Sequence, residues 1–157
     1  AEVQLVGESG RWLKDKELLE AVAGYWTAAG LTVNLEILEF GAYLDVLFDR
    51  ENRADSVYVS SSNDILDADR QLSTYYQAGG IGSSNSNEAL KKLIDDGRAE
   101  LDATKRGEIY GEAVKIAYDE AYFVWLINNQ DIYGLSTRLA WTPRVDSKLL
   151  VKEMAVN

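Results

Sequence analysis

The feature that most constrains this chain is a strand–helix–strand pattern at its start. Glu2 to Val6 alternates apolar with polar at Val3 and Leu5, and Gly7 and Gly10 then interrupt it. From Lys14 onward, Leu18, Val22, Tyr25, Trp26 and Ala29 fall at helical spacing, with Gly30 in position to stop the helix. Leu31, Val33, Leu35 and Ile37 alternate again. Two strands separated by a helix favour a parallel pair, because the crossover returns the second strand in the direction of the first.

The rest of the chain extends the theme. Phe40, Leu44, Leu47 and Phe48 repeat the helical spacing, and Val57-Tyr58-Val59 predicts a third strand. A polar stretch from Ser60 to Asp69 leads into a helix expected over Asp67–Gln77, in which one of Tyr75 and Tyr76 should belong to the core. Ser86 or Asn87 can cap a helix carrying Leu90, Leu93 and Ile94, and Asp102 can cap another striped by Ile109, Ala113, Ile116 and Ala117. The apolar run Ala121 to Ile127 reads as a strand buried on both faces. The order β-α-β-α-β-α-α-α-β predicts an α/β fold, a layered sheet with mainly parallel strands and flanking helices.

Composition removes several chemistries. The chain has no histidine and no cysteine, so imidazole-activated nucleophiles and thiolate or imidazole metal sites cannot be assembled from it alone. Its formal charge of −10 opposes binding to nucleic acid and attraction to anionic lipid. No cofactor is expected. The longest apolar run is far short of the roughly 20 residues of a spanning helix, and a secretory signal, if the protein is exported, is expected upstream of Ala1.

Several strings then match one family in order. Arg11 to Leu18 resembles the segment leading into a helix of the second lobe of the family 5 extracellular solute-binding proteins, and Glu39-Phe40-Gly41-Ala42-Tyr43-Leu44 resembles their E-W-G-A-Y-L pattern. Asp67-Ala68-Asp69 sits where the family has D-P-D, and Ser86-Asn87 where it has S-N-P. Arg98 to Asp102 resembles R-A-E-x-D, Lys105 to Ala113 resembles K-R-x-x-x-Y-x-E-A, and Trp141 to Arg144 resembles the closing G-W-x-P segment. Ala68 and Glu88 replace family prolines, and Ser61 stands where many members have tryptophan. The resemblance implies the oligopeptide, dipeptide and nickel class of binding protein, which is not an enzyme. Such a protein captures a small solute, here expected to be a peptide, and delivers it to an ABC permease at the periplasmic or extracellular face of the membrane. It also implies that residues 1–130 form most of the C-terminal lobe and that 131–157 return to the hinge and first lobe. That lobe would then be the missing partner of the fragment. The returning segment is expected to be disordered, to fold back, or to self-associate with another copy through an exposed strand edge.

The resemblance implies site residues as well. Asp64 would pair with the ligand's α-ammonium, with Ser60, Ser61, Ser62 and Asn63 lining the same wall. The competing reading of Asp64 is a solvated loop acid or a helix cap. Arg11 could meet a ligand carboxylate bidentately, or be an exposed arginine near a helix start. Trp12 could stack on the ligand, or pack on the helix that follows. Two other functions stay open at this stage. Glu36, Glu39, Asp64 and Asp67 could supply the carboxylate pair of a glycoside hydrolase, and the chain could be an interaction-only domain derived from a binding protein. A calcium site from Asp64, Asp67 and Asp69 would lack the glycine and terminal glutamate of an EF-hand loop.

Overall fold

A computed structural model describes residues 1–49, 51 and 53–157. By its internal contacts the chain divides into two compact units, residues 1–62 with 74–87, and residues 63–73 with 88–157.

The first unit is built on the expected strand–helix–strand start. Strand β1 (Glu2–Glu8) pairs in parallel with β2 (Thr32–Leu38) in register from Glu2↔Thr32 to Glu8↔Leu38, and helix α1 (Asp15–Ala28) joins them. Gly30 ends α1 as expected: at φ 94° its N–H bonds the carbonyl of Thr27, while Leu31 N–H bonds that of Trp26. This pair of bonds is a Schellman turn, and its left-handed residue is best supplied by glycine. Helix α2 (Phe40–Phe48) then leads to β3 (Ser56–Val57), which pairs in parallel with the other edge of β1. The strand order is β2-β1-β3.

With a neighbour on each edge, β1 is the centre of the sheet, and Leu5, Val6, Gly7 and Glu8 are all buried. Successive side chains alternate faces. A methyl added at Gly7 would lie 2.4 Å from Leu19 of α1, so the Leu5–Gly7 face is the one α1 covers. Val6 and Glu8 therefore face the α2 side, where Tyr43 and Leu47 are buried. The α1 stripe holds in part: Leu18, Val22 and Trp26 are half-buried, but the buried apolar residue is Leu19, and Tyr25 is 75% exposed. Strand β3 is also shorter than Val57–Val59 suggested, although Tyr58 N–H extends the ladder by bonding the Val6 carbonyl at 2.8 Å.

The second unit is helical. Its short α3 (Ala68–Gln71) is followed in the chain by a π turn over Leu72–Tyr76, whose residues from Thr74 onward are counted with the first unit, so the helix expected over Asp67–Gln77 is present but irregular. Helices α4 (Glu88–Ala99) and α5 (Ala103–Asp119) pack on each other, burying Leu90 and Ile94 against Tyr110, Ala113 and Ala117. The Asp102 carboxylate caps α5 as expected, accepting from Thr104 and Lys105 N–H at 3.0 Å each. Each fully buried leucine or isoleucine here contributes roughly 1.5–3 kcal/mol. In the first unit Tyr75 and Tyr76 are both half-buried, and the Tyr75 ring lies against Gly82.

The expected central strand Ala121 to Ile127 is not formed. The segment has no regular secondary structure, with Val124 74% and Trp125 52% exposed, and Trp125 stacks on Tyr118 at 5.5 Å. β-branched and aromatic residues favour extended backbone, but a strand exists only where a neighbour completes its hydrogen bonds. Farther on, β4 (Leu139–Ala140) pairs antiparallel with β5 (Ala155–Val156), beside a 3₁₀ turn over Val151–Glu153. Arg144 joins that end to itself through Asp146 at 2.6 Å and Glu153 at 3.0 Å. No helix among the described residues is long and apolar enough to cross a membrane.

Candidate functional site

The two connections run in opposite directions across the sheet: β1 passes through α1 to β2 at one edge, and β2 passes through α2 back past β1 to β3 at the other. At such a switch of direction the loops after the two neighbouring strands diverge, and a crevice opens beyond their carboxyl ends. Here those loops are Ser9–Lys14 after β1 and Tyr58–Ser62 after β3. Arg11, Trp12, Ser60, Ser61 and Ser62 are thus brought to the same end of one sheet.

The first loop is fastened from below. Asp15 is 4% exposed and accepts from Arg11 N–H at 3.1 Å, Trp12 N–H at 3.0 Å and Lys16 N–H at 2.7 Å. Desolvation pushes its carboxyl pKa up, but the backbone donors of Trp12, Lys16, Arg11 and Gly10 outweigh it and hold the carboxyl below its ordinary value. Arg11 is exposed, and its guanidinium carbon lies 4.1 Å from the Phe40 ring centroid and 5.3 Å from that of Trp12. Among the described residues the guanidinium pairs with no carboxylate within 4 Å. An arginine held by its face on two rings keeps its N–H edge available to a bidentate acceptor.

Three residues before Arg11 stands a residue that the sequence pattern did not single out. Glu8 is 1% exposed, and its Oε2 has no hydrogen-bond partner. The Trp12 indole Nε1 is likewise buried and without a partner. Desolvation raises the Glu8 carboxyl pKa, while Arg11 and the Trp12 indole N–H pull it partway back. The indole therefore lies near enough to favour the charged form without completing a bond to Oε2. Tyr43, from α2, donates its hydroxyl to the Tyr58 carbonyl at 2.7 Å. Burial first, and the Glu8 charge second, push its phenol pKa well up. The Tyr58 phenol is raised by desolvation and drawn back by Ser60. Glu8 had one readable signal: it shares the inward parity of Val6 in a strand whose two edges are both paired.

Asn63 and Asp64 belong to the second unit. Asp64 is exposed and lies 3.5 Å from Arg70 Nε, while Asn63 donates its amide to the Asp67 carbonyl at 2.9 Å. Other acids have structural roles. Glu39 caps α2 through Gly41 N–H, and Asp67 caps α3 through Asp69 N–H. Asp67 also takes both terminal nitrogens of Arg106 at 2.7 Å each. Among the described residues no group of three His, Cys, Asp or Glu side chains is placed to hold a metal ion, so Asp64, Asp67 and Asp69 do not form a calcium site. An open groove of about 620 Å³ runs along α5, lined in part by Leu66, Arg106, Tyr110 and Val114. Its charged members, Asp67 and Arg106, satisfy each other. The carboxyl end of β1 is the better candidate because, among the described residues, the Arg11 guanidinium and Glu8 Oε2 there are not paired with each other.

No family model matches the sequence, and no curated protein matches it. Solved structures do. The ABC transporter-associated periplasmic binding protein DppA from Helicobacter pylori, in complex with the peptide STSA, is 24% identical with a TM-score of 0.64 over 78% of this chain and 24% of its own. The PBP AgaA from A. tumefaciens R10, in complex with agropinic acid, is 24% identical with a TM-score of 0.65 over 77% of this chain and 25% of its own. A nickel ABC transporter structure from Bacillus halodurans is 18% identical with a TM-score of 0.62 over 78% of this chain and 26% of its own. The chain spans about a quarter of the length of each of these structures. Over the matched span it has the α/β fold of part of these ABC-transporter substrate-binding proteins.

Proposed function

We propose that this chain is part of a non-catalytic solute-binding protein that captures a small solute, a peptide in the first instance, and delivers it to an ABC permease at the outer face of the membrane. The observation that carries the reading is the reversal of strand order at β1, with the Arg11 guanidinium, unpaired among the described residues, in the loop that leaves that strand. Structures that share this fold contain a peptide in one case and agropinic acid in another. In this reading Arg11 receives a solute carboxylate, and Trp12 with Ser60 to Ser62 forms the wall around it; Asp64 and Asn63, which belong to the other unit, are a separate proposal for receiving an ammonium group. Residues 1–130 are the lobe, and 131–157 return toward a first lobe that completes the cleft.

Ligand-dependent thermal stabilisation tests this, since a solute that binds only the native state raises its apparent stability. Short peptides should raise the melting temperature without being consumed. No stabilisation by peptides, nickel chelates or oligosaccharides would oppose solute capture. Turnover abolished by a single carboxylate substitution would replace it with catalysis.

A further inference from the structure

Glu8 is a costly residue to place where it is. A buried carboxylate with one oxygen left unpaired is destabilising, and a neutral side chain of similar shape would avoid that cost. Arg11 stands three residues away and does not come within ion-pair distance. It stacks on Phe40 and Trp12 instead, and among the described residues its guanidinium meets no carboxylate within 4 Å. The two charges therefore act on each other through space, and whatever Glu8 does to the field at Arg11 is felt by an acceptor that docks there. Three further titratable groups bear on Glu8: Asp15 at the head of α1, Tyr43 of α2 and Tyr58 beyond β3. Asp15 is held in its charged form and the two phenols in their neutral forms. Glu8 is thus the one member of the set whose charge is set against its surroundings.

We infer that Glu8 is a specificity-determining residue of this crevice: its buried carboxylate offsets the Arg11 guanidinium and so disfavours solutes that present a bare carboxylate to that wall. This rests on the reading that Arg11 faces the solute. With Glu8 ionised, the charges that bear on one another here are one positive, Arg11, against two negative, Glu8 and Asp15, Lys14 being paired with Glu17. With Glu8 neutral the two remaining charges balance, and a carboxylate is held more firmly. Because desolvation raises the Glu8 pKa above its ordinary 4.5, the neutral form is reached as pH falls from neutrality toward that raised value. Carboxylate binding should tighten over the same interval.

The test uses trifluoroacetate, which stays ionised throughout, with trifluoroacetamide as the uncharged control, at constant ionic strength. Binding to the 157-residue chain is read from the fluorine signal of the probe and the Trp12 indole resonance. Glu8→Gln should tighten trifluoroacetate about fivefold at neutral pH, remove the pH dependence, and leave trifluoroacetamide unchanged. The wild-type pH series reads the same effect without a substitution, so a poorly folded variant does not protect the inference. Arg11→Ala should abolish trifluoroacetate binding. Equal trifluoroacetate affinity in wild type and Glu8→Gln, with Arg11→Ala still weakening it, overturns the inference and leaves Arg11 as a carboxylate site. No trifluoroacetate binding by either protein overturns both. Failure of peptides to stabilise the protein, with the trifluoroacetate results as expected, counts against solute capture alone.

Discussion

Replacing Asp15 should loosen the turn that presents Arg11 and Trp12, by an amount that can be worked from three hydrogen bonds. Lys14, just before α1, is left-handed at φ 64° and offers no side-chain cap, so Asp15 takes over the satisfaction of the local backbone donors. Oδ2 serves Arg11 and Trp12 while Oδ1 serves Lys16. A hydrogen bond to a charged acceptor is worth about 1.5–3 kcal/mol net, and bonds sharing one carboxylate are not additive. Asp15→Asn keeps one carbonyl oxygen, enough for one side of the arrangement but not both, and should cost about 2 kcal/mol. Asp15→Ala removes every acceptor and should cost about 4 kcal/mol. Urea unfolding is the assay, read as a lower midpoint at unchanged slope. The pH dependence has a defined sign. Desolvation raises the Asp15 pKa, the backbone donors lower it further, and the net value lies below the ordinary 3.8. The stability it contributes is therefore present above about pH 3.8 and is lost as pH falls through the depressed folded-state value. The gap between wild type and Asp15→Asn should narrow only in that acidic window. An unchanged midpoint at neutral pH, or a gap that persists in acid, would refute the reasoning.

Gly97→Ala should destabilise by about 1–2 kcal/mol in denaturant melts, since overpacking outweighs the roughly 1 kcal/mol gained in helix propensity. The added methyl would lie 2.5 Å from the buried Tyr110 ring, and a stabilised variant would contradict the α4–α5 packing. Asp67→Asn should lower the unfolding midpoint at neutral pH and make little difference in strong acid. The Arg106 side chain and Asp69 N–H hold the Asp67 pKa below 3.8, so its contribution disappears as pH falls through the depressed value, and an equal loss at every pH would count against the pair. Asp64→Ala should weaken peptide binding by at least about tenfold in calorimetric titration if Asp64 meets the ammonium end. Unchanged affinity would leave Asp64 as the partner of Arg70 alone.

The parallel β1–β2 pair was legible because alternation at Val3 and Leu5, a helical stripe and a stop at Gly30 all pointed to one arrangement. The caps were legible for the same local reason: Asp102 reaches donors two and three residues ahead. Strand order was not, because which edge of β1 receives β3 is a decision of the whole fold. That gap hid Glu8, whose acidic side chain resembles an ordinary strand end until both neighbours of β1 are known. Ala121 to Ile127 misled for the opposite reason. Its composition is that of a buried strand, yet composition does not provide the neighbouring backbone that makes a strand. Arg11 and Trp12 were found as candidates, but their relation to Phe40 depends on how α2 returns across the sheet.

The most direct test of solute capture at the strand tips is a map of backbone amide resonances during titration with the tetrapeptide Ser-Thr-Ser-Ala. The account predicts that the largest changes fall on Gly10 to Trp12 and Tyr58 to Ser62, with the α5 groove residues Arg106, Tyr110 and Val114 unmoved. Changes confined to that groove, or none at saturating peptide, would contradict it.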